Sequence, residues 1–246
     1  MDFDRIDRLK QELDQLRPLP AAAVRNLEEV YRVEWTYNSN AIEGNTLTLL
    51  ETKLVLEEGL TIGGKKLREH FEVINHDEAI LYVQDVVRNN QDLTEHLLKS
   101  IHHLILKNID DENAGRYRMI NVMISGSSHT PPHFMLVSEQ MEQLLLWYEE
   151  QKECLHPVKL AAEFHFRLVY IHPFADGNGR TARLLMNLIL MKYGYPPAII
   201  QAATEARMSY YTALERASTR QDVEPFVRIV AEYVETSLQR YIGAVK

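Results

Sequence analysis

Residues 172–183 read His-Pro-Phe-Ala-Asp-Gly-Asn-Gly-Arg-Thr-Ala-Arg, the densest run of chemically useful groups in this 246-residue chain. With a reference pKa of about 6.5, much of His172 is neutral near pH 7 and able to accept a proton. Asp176 is a hard oxygen ligand, and a carboxylate facing phosphates makes sense when a cation such as Mg²⁺ lies between them. Gly177 and Gly179 flank Asn178 and take backbone angles closed to other residues, which lets consecutive N–H groups converge on an anion. Arg180 and Arg183 are three residues apart, so they share one helix face, and their planar forks suit phosphate oxygens. Taken singly these groups are ordinary, since Asp-Gly-Asn-Gly is commonly a turn and helix arginines are commonly solvated. Their combination in twelve residues points to nucleotide chemistry at a hydroxyl.

The elements that must position these groups are helical. Apolar patterns over residues 158–171 and 184–193 place the motif on a loop that opens a helix near Asn178, whose free N–H groups and dipole favour an anion. Phe174 is the apolar residue of the loop and reads as its anchor in the core. Upstream, Phe3, Ile6, Leu9, Leu13 and Leu16 predict an amphipathic helix stopped by Pro18 and Pro20. A second helix is expected from Ala21 toward Glu43. Thr48 and Glu51 spell a capping box for a third, ending near Gly59. Further helices are expected over 65–87, 93–106, from a Ser138 cap through Trp147, from Pro157, over 207–217 and over 223–241. Residues 116–132 form the one extended pattern, with Val122 and Ile124 alternating with Asn121 and Met123, Gly126 able to turn the chain, and Pro131-Pro132 excluding a central strand. The expectation there is a two-stranded hairpin closing a loop. A second polar constellation, Ser39-Asn40-Ala41-Ile42-Glu43-Gly44, puts Ser39 and Glu43 four apart on one helix face with Gly44 as terminator.

The twelve-residue motif resembles the signature of the Fic family, His-x-Phe-x-Asp/Glu-Gly-Asn-Gly-Arg-x-x-Arg, at every fixed position. That resemblance implies a mainly α Fic-type fold with a short β-hairpin flap at about 116–135. It also implies transfer of AMP from ATP to a Ser, Thr or Tyr hydroxyl of a target protein. His172 is then the general base, Asp176 the Mg²⁺ ligand, Gly177, Asn178 and Gly179 the phosphate nest, Arg180 a triphosphate ligand and Arg183 the γ-phosphate ligand. Ser39, Glu43 and Gly44 resemble the inhibitory motif of the class with an N-terminal inhibitory helix, in which Glu43 pairs with Arg183. Residues 1–60 would carry that helix and residues 61–246 the Fic core. Val122, Met123 and Ile124 would line up a target segment along the flap edge by strand addition. The related Doc-type kinases have Lys where Gly179 stands, which favours AMP transfer here. Tyr210-Tyr211 and Asp222-x-x-Pro-Phe extend the likeness, and the two tyrosines either border the adenine or fill the core. Many relatives have Asn at Ser218 and Gly at Gln221. Two other readings stay open: removal of AMP from a modified protein, with Glu43 positioning a water, and a non-catalytic module that senses nucleotide.

Composition is consistent with this. With 46% hydrophobic residues the chain can bury one sizeable core. A net charge of −8 argues against nucleic acid held by phosphate contacts. The single Cys154 excludes an internal disulfide and fits a reducing compartment. The charged start, Met-Asp-Phe-Asp-Arg, and the absence of a long apolar run lead to the expectation of a cytoplasmic protein without a membrane span. A homo-oligomer is left open. His129 and His133 have helical zinc-ligand spacing, but Pro131-Pro132 forbids the helix.

Overall fold

The computed structural model describes residues 2–246. They form α1 (Asp4–Gln15), α2 (Ala21–Ile42), α3 (Leu49–Glu58), α4 (Leu67–Arg88), α5 (Glu95–Leu106), α6 (Val137–Gln151), α7 (Pro157–Ile171), α8 (Asn178–Lys192), α9 (Thr204–Arg220) and α10 (Glu224–Val245). No strand occurs among them. The local signals act where the sequence places them. Thr48 and Glu51 close a reciprocal capping box on α3, which ends on a left-handed Gly59 at φ 65°. Pro157 opens α7 within its first turn. The expected cap at Ser138 is not one: Ser138 lies inside the first turn of α6, which is entered through a 3-10 turn over Phe134–Leu136.

Helix α8 is the centre of the molecule. Arg180 through Leu190 are all buried, so the helix is covered on every side, and α7, α4 and α5 supply most of the covering. An all-round buried helix is the arrangement that an apolar sequence such as Leu184–Leu190 requires. The motif loop therefore links two core helices, α7 and α8, which pack along their length. Helix α2 reaches the N-terminal end of α8, and α1 lies against α10 at the far side. No helix among the described residues is long and apolar enough to cross a membrane.

The hairpin expected within 116–135 is replaced by an open loop held by side chains. Pro131 and Pro132 have no N–H to give a ladder, and other groups take over the polar partners. Asn121 Oδ1 accepts the Phe134 N–H at 3.0 Å, the His129 ring stacks on Tyr170 at 4.1 Å, and the Ser127 and Ser128 hydroxyls bond Glu215 of α9. The chain is thus tied down at its stems and tip without strand pairing.

Three histidines, His76, His102 and His165, are fully buried in the helical body. Burial depresses the pKa of each, to about 4 for His102, where Arg180 adds to the effect and the Asp176 backbone opposes it. In the unfolded chain they titrate near 6.5, so between that pH and about 4 the unfolded state binds more protons and stability falls with acidity. Each such group contributes up to ~1.4 kcal/mol per pH unit over this window. The unfolding free energy, measured in urea, is expected to drop by a few kcal/mol from pH 7 to pH 4.5, and less steeply for His102→Asn. A flat profile would mean that these imidazoles are not held neutral.

Candidate functional site

Residues 172–177 cross from the C-terminus of α7 to the N-terminus of α8, and every turn of that path has a visible cause. His172 ends α7 in the left-handed region at φ 51°, and Gly177 opens α8 at φ 75°. Phe174 is fully buried and stacks on His102, ring centroids 3.5 Å apart and planes within 4°. The Asn178 side chain folds back to bridge Phe174, accepting from its N–H at 3.0 Å and donating to its carbonyl at 2.9 Å. The Asn178 amide is therefore spent on the loop, and what it can offer an anion is its own N–H. His102 holds the other side: its Nδ1 accepts the Gly115 N–H at 2.9 Å, which leaves Nε2 protonated to donate to the Asp176 carbonyl at 2.9 Å. A side chain at Gly177 would press on that same imidazole, so the glycine is required for closeness as well as for its dihedral.

His172 is half-buried, and its Nδ1 lies 3.3 Å from the Val169 carbonyl. A carbonyl only accepts, so Nδ1 carries the proton and Nε2 keeps a free lone pair. Burial lowers the imidazole pKa, Arg118 lowers it further, and the Val169 carbonyl and Glu43 pull the other way. The result is a neutral ring at neutral pH. For Asp176 burial works toward a higher pKa, but Arg180, the Gly177 N–H and Arg68 outweigh it, and the group stays ionised. Its oxygens accept from Gly177 at 2.6 Å, from Arg68 of α4 at 2.7 Å and from Arg180 at 3.4 Å.

The two motif arginines point to the same end of α8 and each already faces a carboxylate. Arg180 is 3.5 Å from Glu72 of α4, and its buried Nε has no partner among the described residues. Arg183, 2% exposed, donates from Nε to Ser39 Oγ at 3.0 Å, from Nη2 to the Ser39 carbonyl at 2.8 Å and to Glu43 Oε1 at 2.8 Å, and from Nη1 to Tyr210 at 3.3 Å. Tyr210 in turn donates to His165 Nε2 at 3.1 Å. Burial would lower the Arg183 pKa, but Glu43 and Tyr210 raise it, so the cation is permanent. Glu43 caps α2, Gly44 follows at φ 98°, and the carboxylate rests against Gly179, where any side chain would collide with it. Ser39, Glu43, Gly179 and Arg183 are thus one cluster, although about 140 residues separate its halves. Tyr210 fills the core, while the half-exposed Tyr211 hydroxyl donates to the Ile42 carbonyl at 3.0 Å.

In the loop of residues 116–135, Met123 is 91% exposed, with Val122 and Ile124 half-buried on either side. His129 and His133 lie in this loop, off any helix, and no group of three or more metal-ligating residues is found among the described residues. The sequence analysis did not single out His102, Arg68, Glu72 or Arg118. Each acts on the motif from a distant element, and none stands in a local pattern that marks it.

A model of the Fic/DOC family matches residues 92–190. The chain is 39% identical to the protein adenylyltransferase Fic of Nematostella vectensis, over 99% of this chain and 57% of that protein. It is also 39% identical to the protein adenylyltransferase fic-1 of Caenorhabditis elegans, over 97% of this chain and 46% of that one. It thus spans about half the length of these curated relatives. Among solved structures it resembles Fic-1 of C. elegans, with a TM-score of 0.86 and 38% identity over 98% of this chain and 71% of that one. A Fic-domain-containing signaling protein of Bacteroides thetaiotaomicron superposes with a TM-score of 0.89 at 31% identity, over 98% of this chain and 97% of the other.

The loop geometry has a direct energetic test. Phe174→Ala removes a fully buried ring and is expected to lower the unfolding free energy by about 3–5 kcal/mol. Asn178→Ala orphans a buried N–H and a buried carbonyl of Phe174, for a loss of roughly 2–4 kcal/mol. Urea unfolding measures both. A loss under ~1 kcal/mol in either variant would mean that the loop is not held as described.

Proposed function

The chain belongs to the Fic/DOC family, and from that premise we propose that it transfers AMP from ATP to a Ser, Thr or Tyr hydroxyl of a target protein and is held in check by Glu43. The observation that carries this reading is the convergence, at one helix end, of a neutral imidazole, an ionised carboxylate, a glycine turn and two buried arginines, with Glu43 laid across Arg183. In the reaction His172 Nε2 takes the target hydroxyl proton as its oxygen attacks the α-phosphorus. The bond from that phosphorus to the bridging oxygen breaks, and pyrophosphate leaves. The N–H groups at the start of α8 and the Arg180 and Arg183 guanidinium groups take up the negative charge. Positioning and electrostatics of this kind are what phosphoryl-type transfer asks of a protein.

Asp176 is the one carboxylate of the loop and its side chain is 46% exposed, which suits a cation that keeps several waters and binds mainly phosphate oxygens. Mg²⁺ fits that description and would neutralise the triphosphate there. Arg68 now faces the same carboxylate and would have to yield its place. The exposed Met119, Ile120 and Met123 of the loop offer a target segment adaptable apolar contacts.

Two measurements test the reading. General base catalysis is worth about 10²–10⁴-fold, so His172→Ala is expected to lose that much transfer while its ATP affinity survives. Near-normal single-turnover transfer by this variant would refute the assignment. Glu43→Gly is expected to raise automodification roughly tenfold to a few hundredfold, since a pair of charges at about 4 Å is worth ~4 kcal/mol at an effective dielectric of 20 before desolvation is subtracted. Arg183→Ala, which deletes a phosphate ligand with the pair, is expected not to activate, and the double variant should follow it. A Glu43→Gly protein that is folded, binds ATP and is no faster than the parent would end the autoinhibition reading. Mass spectrometry of the same reactions separates addition of AMP from its removal.

A further inference from the structure

Arg118 stands at the root of the loop of residues 116–135, 2% exposed, and burial alone lowers its pKa, with no carboxylate beside it among the described residues. Its charge is met by backbone carbonyls. Nε donates to His172 O at 2.8 Å, Nη1 to Ile120 O at 2.9 Å, and Nη2 to Pro132 O at 2.6 Å and Ile171 O at 3.5 Å. The Arg118 N–H adds a bond to Pro173 O at 2.9 Å. Ile120 and Pro132 are the two stems of the loop, and Ile171, His172 and Pro173 are the end of α7 and the start of the motif. A cation at a helix C-terminus is favoured by the dipole, and here it replaces the missing counter-ion. His172 also needs holding, because φ 51° is a region that side chains disfavour.

We propose that Arg118 is a positioning residue for the transfer: one guanidinium fixes both loop stems and the His172 backbone as a single unit, so the loop that receives a target and the imidazole that deprotonates it keep one relative placement. The planar fork is essential to this. It presents five donors in fixed directions, whereas a lysine presents a point charge on a flexible stem and cannot satisfy separated carbonyls together. The phosphate ligands on α8 are held by other groups, namely Ser39, Tyr210, Glu72 and Asp176, so the effect should fall on the chemical step and spare nucleotide binding.

This inference rests on the reading of His172 as the base, and its test has one arm that needs no transfer at all. Arg118→Lys and Arg118→Gln are made in the full chain carrying Glu43→Gly. With ATP as the probe, kcat and KM for automodification are measured, and the His172 imidazole is followed by NMR across pH, its signal assigned with His172→Ala. A 1 Å misplacement costs on the order of 10²-fold in rate, so both variants are expected to lose about that much in kcat with KM for ATP within about twofold. The groups facing His172 are Arg118 and His129, which lower its pKa, and Glu43, which raises it and is absent from the parent. The imidazole should therefore titrate higher in Arg118→Gln, where the cation is lost, and change its chemical shift in both variants. Arg118→Lys keeps the charge, so a changed His172 signal there reports displacement of the ring; a merely structural role would lower the melting temperature and leave the Arg118→Lys signal and kcat where they were. An unchanged His172 signal in a folded Arg118→Gln protein overturns the proposal, as does a kcat loss matched by an equal loss of ATP affinity. If Arg118→Gln does not fold, the Arg118→Lys shift and kcat decide. If the Glu43→Gly parent itself transfers nothing, the transferase reading fails and the NMR arm still judges Arg118.

Discussion

Arg183, 2% exposed, carries its charge in the core with the Glu43 carboxylate 2.8 Å away, and the arrangement around the first turns of α8 follows from that pairing. Desolvating a cation is expensive, and removing one partner of a buried pair typically costs about 3–5 kcal/mol. Glu43 supplies the negative charge, and in the proposed function a terminal phosphate would take its place. Ser39 and the Tyr210–His165 relay hold three of the remaining donor directions, so the guanidinium keeps its aim whichever anion is present. In the proposed function, Glu43 and the nucleotide would compete for a guanidinium that is already oriented.

The same economy of position holds for α8 as a whole. Its buried faces bind α4, α5 and α7 into one core, and its N-terminal turn carries the motif glycines and arginines, so folding energy and the geometry of the motif are supplied by one element. Around that turn the supporting groups come from every neighbour: Arg68 and Glu72 from α4, His102 from α5, Tyr210 from α9 and Ser39 from α2. Each is fixed to a helix packed in the core, which gives the loop of residues 172–177 the precision of its surroundings.

Much of this was legible before any coordinates. Helix signals were local and strong: the Thr48 capping box, Pro157 at the start of α7 and the proline stop after α1 all act within a few residues of where they are written. The motif residues converge because loop and helix are contiguous, and Ser39 with Glu43 was readable from its spacing. What could not be read were partners whose only relation to the site is tertiary. His102 and Arg68 lie in ordinary helical patterns, and nothing nearby distinguishes them from a surface arginine or a core imidazole. The expected hairpin failed for a different reason. Alternation of Val122 and Ile124 with polar neighbours marks extended backbone, but pairing depends on donors across the way, and Pro131 and Pro132 have none.

Gly179 shows how a missing side chain can restrict the routes open to evolution. A β-carbon there would strike the Glu43 carboxylate and crowd the Arg183 guanidinium, so a replacement bears on both partners of that ion pair at once. The end of α2 and the first turns of α8, about 140 residues apart in sequence, therefore constrain one another's substitutions.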